Sequence, residues 1–579
     1  MESVELGTMG HPYKSIDQAF IEVFNYWSNT TAVDILVRES TTNKVFFQSR
    51  PLIVNRNDNV RIMTYSTAGT DPVKATLNVI NTETYLMMSN SKFSIMQGVN
   101  YNYTGAGSTI LTGERSDINA QWYAFIILQS NFKMDGFIIN NSLNLEDDDF
   151  AIVYPVSNLA TKTLTIDNCD FKMYGTGMIS FTSISFMSKG VTFDTENLVG
   201  GFIFLVSCNI ASDVVTGEVV IDNLNFDGAR STLFKYGGVY MTGTQNFTIQ
   251  NSYIGSYGFM FDAKQLTRAD SPLNCQPTDG VKQIIKLDNN VYNMSTAYTG
   301  TPHHGFICSF LEWYPRTDME MIFTNNVIMN VQESFYRVML LDMNSATVSV
   351  TDNLFKDSTG AVDISQIKTT KSVEVLRNVF ENISSTSQNI LVITSAPMVT
   401  ITDFTMNGAN PAVVSSAILN LNMATNAVAV LNDIKFTNNI FLGTKAIVSQ
   451  QLLSSFTLTN SSFTGDSIMQ NTNYIDIQQA SYVSITETDF LNITYQNTDD
   501  SGAYLIYIAK IQSILAGSNS VIQNILFNNI KTNAISFGGF SDSVASASGN
   551  LLIDQILFTN STFNSPDSLV GKFALLRIF

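Results

Sequence analysis

The chain has 579 residues, of which 45% are hydrophobic and only 14% charged, with a formal net charge of −18. That acidic balance leaves no basic patch to meet phosphates and argues against nucleic acid as a partner. No run of about 18 apolar residues occurs, so no segment reads as a membrane-spanning helix. An ordinary soluble domain carries about 25% charged residues. Asn, Ser and Thr must therefore cover the surface, and these favour turns and strands over helices.

The first fifteen residues, MESVELGTMGHPYKS, contain no apolar signal region. The expectation is that the chain is cytosolic or has lost a leader ahead of Met1. SIDQAFIEVFNYW at 15–27 places Ile16, Ala19, Phe20, Val23, Phe24 and Trp27 on one helical face. Ser15 and Gln18 form a capping-box pattern. This short helix is expected to cover the open strand edges at the start of a stack, which begins with the strand DILVRES at 34–40.

From there one pattern recurs. A short alternating strand is followed by a polar residue, mostly Asn or Asp, and then by a second short strand carrying Phe. It reads LTIDNCDF at 164–171, VVIDNLNF at 219–226 and FTIQNSYI at 247–254. It continues as VSVTDNLF at 348–355, VEVLRNVF at 373–380 and VTITDFTM at 399–406. FTLTNSSF at 456–463, VSITETDF at 483–490 and LLIDQILF at 551–558 complete the series. The spacing is 28 residues from Asn223 to Asn251, 25 from Asn353 to Asn378, 25 from Asn378 to Asp403 and 28 from Asn432 to Asn460. Larger gaps, such as 251 to 290, are read as coils with loop insertions.

A period of about 25–30 residues leaves no room for a helix between strands and is too short for a four-stranded propeller blade. What fits is a solenoid coil of three strands, each pairing in parallel with its equivalent one coil away. The recurrent Asn is expected at the bend, where it tolerates left-handed backbone angles, and its amide can ladder from coil to coil. Phe171, Phe226, Phe355, Phe380, Phe463 and Phe490 are expected to stack inside the coils.

GTMGHPYKSIDQAF at 7–20, followed by DILVRES, resembles the opening of pectin-lyase-like right-handed parallel β-helix proteins. Those begin with a Gly-rich turn, Pro-Tyr/Phe-Lys-Ser/Thr-Ile, a capping helix and a strand of the form ILVREGTY. Pro12, Tyr13, Lys14, Ser15, Ile16 and Ala19 match. The coil pattern extends the resemblance over nearly the whole chain. It implies an all-β fold, a right-handed parallel β-helix with an N-terminal capping helix. The expected layout is an opening segment at 1–33 and a β-helix over 34–579, with a loop excursion at about 262–316. The last residues, LLRIF, stop in mid-pattern, so the C-terminal end is expected to be truncated or covered by a partner. The resemblance does not fix an activity, because the family includes lyases, hydrolases, adhesins and catalytically silent members. Large Asn- and Phe-rich members without catalytic signatures resemble surface proteins of protists such as ciliates.

Hydrolases of this family carry NTD, DD, GHG and RIK motifs on neighbouring coils, because their carboxylates must converge on one glycosidic bond. Here the histidines are His11, His303 and His304. His304-Gly305 gives the HG pair, but the acidic clusters Asp147–Asp149 and Asp499–Asp500 lie 155 (304 − 149) and 195 (499 − 304) residues away. At about 4.8 Å per coil that separation exceeds roughly 20 Å. Glu146, Asp147, Asp148 and Asp149 offer hard oxygen donors for calcium, as a lyase would require, if a loop lets them converge. A solvated acidic loop is the simpler account.

The irregular stretch 262–316 holds His303, His304, Trp313 and Tyr314, a set able to bind a sugar or to serve as a packing lid. Cys275 and Cys308 flank a Pro-containing segment and permit one disulfide clip. Cys169 and Cys208 are further candidates, and buried free thiols fit the count equally. Nine Asn-x-Ser/Thr sequons, at Asn29, Asn102, Asn140, Asn246, Asn293, Asn382, Asn460, Asn492 and Asn560, are candidate sites for N-linked glycans.

The reading that results is an extracellular or cell-surface structural or adhesive β-helix without catalytic activity. It is expected to self-associate, as a fibre or surface layer, or to meet other surface proteins, and no cofactor beyond calcium is suggested. The alternatives are a polysaccharide lyase or glycoside hydrolase, or a glycan-binding module, on the same fold.

Overall fold

The computed structural model describes Tyr13, residues 15–26 and, between 33 and 207, the strands alone. Beyond these it describes 218–232, 246–262, 283–293, 307–310, 319–331, 337–343, 346–360, 363–385, 389–408, 410–411, 417–441, 445–468, 473–495, 505–508, 519–532, 539–540, 550–563 and 577–578. Contacts divide the chain into two compact units, Met1–Ile284 and Ile285–Phe579. Nearly everything described is strand. Every strand pairing with a described register is parallel, beginning with the ladders through Val33–Arg38 and Phe132–Asp135 in the first unit.

The expected helix is present as α1, Ile16–Tyr26. The Gln18 backbone N–H donates to Ser15 Oγ at 3.2 Å, the first half of the capping box. The Gln18 side chain turns forward and donates to Glu22 Oε1 at 3.0 Å, an i,i+4 bond in place of the reciprocal cap. α1 lies against Val33–Arg38, Phe46–Gln48 and Leu52–Val54, the strands of the first coil, with Ile16 buried.

In the first unit three strands per coil build three ladders. Val33–Arg38 pairs residue for residue with 60–65, and Phe132–Asp135 with 164–167. The second ladder runs through Ile138–Asn141 and Asp170–Tyr174, placing Phe171 opposite Phe193 and Phe193 opposite Phe226 along the backbone. The third is a sheet of its own, from Leu52–Val54 to Ile203–Ser207.

The second unit repeats this plan. Val348 pairs with Val373, Val373 with Val399, and Val399 with Ala429, which gives coils of 25 (373 − 348), 26 (399 − 373) and 30 (429 − 399) residues. Gln283–Asp288, Val291–Asn293 and Ile307–Phe310 are strands inside the stretch expected to be a loop excursion. The segment QIIKLDNNVY carries the same alternation and Asn-Asn corner as its neighbours.

First-ladder strands alternate strictly: in Ala346–Thr351 the residues Ala346, Val348 and Val350 are buried, and Thr347 is exposed. The third ladder behaves differently. Arg337–Asp342 and Leu391–Thr394 show three or more consecutive buried residues, so both sides of this sheet are withdrawn from water.

At the corners the sequence expectation needs refinement. A single Asn was expected to serve both the bend and the ladder, and the structure assigns these to neighbouring residues. At the first corner Asn289, Asn325, Asp352 and Arg377 take the left-handed conformation, with φ of 54°, 55°, 57° and 50°. The residue that follows each of them, Asn290, Asn326, Asn353 and Asn378, points inward and is buried. The inward ladder falls to the residue after the bend, because the left-handed residue presents its side chain outward, where it bonds from coil to coil along the surface instead.

The inward asparagines form a repeating unit. The Asn326 and Asn353 backbone N–H groups donate to Oδ1 of the asparagine one coil on, at 2.9 and 3.0 Å. Nδ2 of Asn326, Asn353 and Asn378 donates back to the carbonyls of Leu287, Phe323 and Val350 at 2.9, 2.9 and 2.6 Å. Each amide thus satisfies main-chain groups that the bend removes from the strand ladder. In the next coil Phe404 takes this place, ending the run, and tilts onto Phe380 at 5.1 Å.

Phe355, Phe380, Phe463 and Phe490 are buried as expected. Phe355 and Phe380 stack at 4.4 Å with planes 4° apart. Phe463, Phe490, Phe527 and Phe558 continue the same column at 5.1, 4.8 and 4.8 Å. Each such pair contributes about 0.5–1.5 kcal/mol beyond area burial. The side chains of Phe171 and Phe226 lie outside the described residues.

Two substitutions test this account. Asn353→Leu takes the acceptor from the Asn326 backbone N–H and the donor from the Phe323 carbonyl, leaving Asn326 Nδ2 with the Leu287 carbonyl alone, and a buried unsatisfied group costs about 1–3 kcal/mol. The urea midpoint of the second unit is expected to fall by the equivalent of about 2–5 kcal/mol, and an unchanged midpoint would refute the ladder. Gly465 sits at φ 71°, where an added Cβ runs into Asn438 Oδ1. Gly465→Ala is expected to lower stability by about 1–3 kcal/mol, measured in the same way.

Candidate functional site

Among the described residues, the carboxylates withdrawn from water occupy two places in the second unit. The first is the outward side of the third ladder. Asp342, 8% exposed, pairs with Lys368 at 3.1 Å one coil on. Four coils beyond Lys368, Asp476, 1% exposed, pairs with Lys445. Asn473 Nδ2 and Gln478 Nε2 also donate to the Asp476 carboxylate, at 3.1 and 2.5 Å. A carboxylate on a sheet face is tolerable away from water when it is paired and fully hydrogen-bonded, and Asp476 meets that condition.

The second place is the interior. Asp466 follows the second corner, where Gly465 has φ 71°, and its side chain points into the coil. Oδ1 accepts from the Asn439 backbone N–H at 2.8 Å and from Asn439 Nδ2 at 3.1 Å. The Tyr474 hydroxyl donates to Oδ2. Tyr474 is itself fully buried, packed edge-on against Phe441 and Phe463 at 5.3 and 5.4 Å. Burial pushes the Asp466 carboxyl up to about 6, against the lowering effect of the Tyr474 and Asn439 hydrogen bonds. This cluster is walled in by aromatic rings. It can hold a proton near neutrality, and it has the character of an internal strut.

At the exposed corners the left-handed residues bond from coil to coil. Arg377 Nε and Nη2 donate to Asp352 Oδ1 and Oδ2 at 2.6 and 2.8 Å, a bidentate pair. The Arg377 guanidinium holds the Asp352 carboxyl below the usual carboxylate range. Asn251 donates to Asp222 at 2.7 Å, and Asn325 to Asp288 at 3.0 Å, in equivalent positions within their own units.

The sites proposed from sequence distribute as follows. His303, His304, Trp313, Tyr314, Asp147, Asp148, Asp149, Asn29, Cys169, Cys208 and Cys275 lie outside the described residues. Cys308 lies in a third-ladder strand, opposite Leu340. Asn102 and Asn140 are register partners in the second ladder, and Asn246 begins a strand opposite Glu218. Asn293 is half-buried and accepts from Asn330 Nδ2 at 2.8 Å. Asn382, Asn460, Asn492 and Asn560 are exposed corner residues with φ of 51°, 49°, 55° and 50°. The Asp466–Tyr474 cluster and the Asp476–Lys445 pair were not singled out from sequence. Each joins residues of ordinary local context, and no motif marks them. Among the described residues no group of His, Cys, Asp and Glu suited to a metal ion is found, and no helix is long and apolar enough to cross a membrane.

No family model matches the chain. No curated protein matches it either. Among solved structures it is similar to the Streptococcus pneumoniae surface protein and adhesin PfbA, at 12% identity, over 86% of this chain and 91% of that one, with a TM-score of 0.19. A likeness that weak carries no argument. The parallel β-solenoid rests on the chain's own ladders.

The Asp466 cluster predicts a pH dependence. The carboxyl has an ordinary value of 3.8 in the unfolded chain and about 6 when folded, so the folded state binds more protons between those limits. Stability from this group is complete below about pH 4, falls as pH rises through about 6, and is level above that. The loss is at most about 3 kcal/mol for a shift of roughly two units. Asp466→Asn keeps an acceptor for Asn439 and removes the charge. Urea midpoints of the parent between about pH 4.5 and 7.5 are expected to decline relative to those of the variant, and parallel profiles would refute the assignment.

Proposed function

We propose that the chain is a structural or adhesive β-helix of the cell surface or extracellular space, without catalytic activity. The observation that carries this reading is the use made of four carboxylates among the described residues. Asp352 is spent on Arg377, Asp476 on Lys445, Asp342 on Lys368, and Asp466 on Tyr474 and Asn439. Each of these bonds joins neighbouring coils or braces the coil interior, and glycosidic or lyase chemistry needs carboxylates or a carboxylate–arginine set converging on a substrate. Within each unit, a surface of Ser, Thr and Asn over parallel ladders suits a structural or adhesive role. Partners would be further copies of the chain or other surface proteins. The finer assignment, to the pectin-lyase-like superfamily, rests on the match at Pro12–Ile16 and Ala19.

Incubation with polygalacturonate, with and without calcium, is expected to release no unsaturated or reducing product. Measurable release would overturn the non-catalytic reading. Electron microscopy of the full chain at high concentration is expected to show end-to-end or lateral assemblies, and particles that stay strictly monomeric would count against assembly.

A further inference from the structure

Three of the five sequons of the second unit share one place in the coil, and Asn293 and Asn460 lie elsewhere. Val379, Thr405, Lys435, Ser462, Asp489, Leu526 and Leu557 are successive register partners, one per coil. Three residues beyond each stands the second corner, occupied in turn by Asn382, Gly408, Asn438, Gly465, Asn492, Asn529 and Asn560. All seven have positive φ, between 50° and 71°. The backbone pairing holds them in line, since the Gly465 N–H donates to the Leu491 carbonyl, Asn492 to Asn528 and Asn529 to Thr559, at 2.9, 2.9 and 3.0 Å. Three of the seven, Asn382, Asn492 and Asn560, open sequons: Asn-Ile-Ser, Asn-Ile-Thr and Asn-Ser-Thr.

The left-handed conformation turns these side chains out of the wall, and all three are exposed. Asn382 Nδ2 donates to Asp357 Oδ1 at 3.1 Å, Asn560 Nδ2 donates to Asn528 Oδ1 at 3.4 Å, and Asn492 accepts from Asn529 Nδ2 at 2.7 Å. A secondary amide keeps one N–H, so attachment at Nδ2 leaves a donor for the coil-to-coil bond. The middle residue of the first two sequons, Ile383 and Ile493, is buried and anchors the corner. At about 4.8 Å per coil, Asn492 stands roughly 19 Å from Asn382 and roughly 10 Å from Asn560, enough to seat separate sugars.

We propose that Asn382, Asn492 and Asn560 carry N-linked oligosaccharides in a single row along the second corner of this unit. The inference rests on the extracellular reading, because it needs the secretory route. In the modification Nδ2 bonds to the anomeric carbon of an oligosaccharide carried on a lipid diphosphate. The bond from that carbon to the diphosphate oxygen breaks, the diphosphate leaves with the electron pair, and the amide gives up one proton. The row would coat one edge of the unit.

The test uses the full chain recovered from its source cells, fractionated into surface or medium and interior. It is treated with peptide N-glycosidase in heavy-oxygen water and mapped by peptide mass. Heavy-oxygen Asp at two or more of residues 382, 492 and 560, with Asn438 and Asn529 of the same column unchanged, is expected. Exported chain with at most one of the three labelled overturns the row and leaves the surface reading standing. Chain found only inside the cell and unlabelled overturns both. Thr494→Ala, which leaves Asn492 in place, is expected to lose one glycan's mass with an unchanged urea midpoint. Unchanged mass in that variant would place the sugar elsewhere and overturn the assignment of Asn492.

Discussion

Within each unit the hydrogen bonds between strands run from coil to coil, and they continue only if every coil turns its corners alike. That condition governs the rest of the structure. A sharp bend between two short strands needs one residue in the left-handed region, which costs most side chains about 1–2 kcal/mol and costs Asn and Asp less. Of the 21 non-glycine residues described with positive φ, 13 are Asn and four are Asp. Composition follows from this. The chain is rich in Asn because each coil spends two or more corners, and poor in Lys and Glu because coil walls expose short strand faces suited to Ser and Thr. Where a less suitable residue takes the bend, as at Arg377, a bidentate bond to Asp352 accompanies it.

A bend also strands backbone groups that the strand ladder would otherwise pair. The inward Asn290–Asn378 run answers that with side-chain amides, and elsewhere hydroxyls do so. Ser252 accepts from the Leu224 N–H at 3.0 Å and Ser461 from the Ile434 N–H at 3.2 Å. Asp466 is the costly version of the same device. It accepts from the Asn439 backbone as an asparagine would, but it must be desolvated as a charge or keep its proton. Its tyrosine partner and aromatic surroundings place it, like the inward asparagines, among the bonds that hold the coils together.

On the outside, the corners and the sheets offer different chemistry. The corners present rows of amides and carboxylates in fixed register. The third ladder shields its charged pairs, while the first shows an alternating, weakly charged face. Within a unit, a repeated wall gains its properties from repetition, so a partner or modification that uses one coil position meets the same geometry several coils away.

The sequence alone determined the coil. Its 25–30-residue spacing, the alternation before each Asn or Asp, and the Phe two or three places later led to parallel ladders, to the stack of Phe355, Phe380, Phe463 and Phe490, and to α1. These were legible because each is local and repeated, and the period multiplies a weak signal. The third strand was not resolved by the same reading. Segments such as LVIT are buried on both sides and lose the alternation that marks a half-exposed strand. The division of labour between bend and ladder was also hidden, since Asn-Asn and Asp-Asn pairs look interchangeable until one side chain points in and the other out. Only the tertiary structure brought Asp466 to Tyr474 and Asp476 to Lys445, and only it lined up Asn382, Asn492 and Asn560. Coils of unequal length break the sequence spacing, and the register that survives is kept by hydrogen bonds between coils.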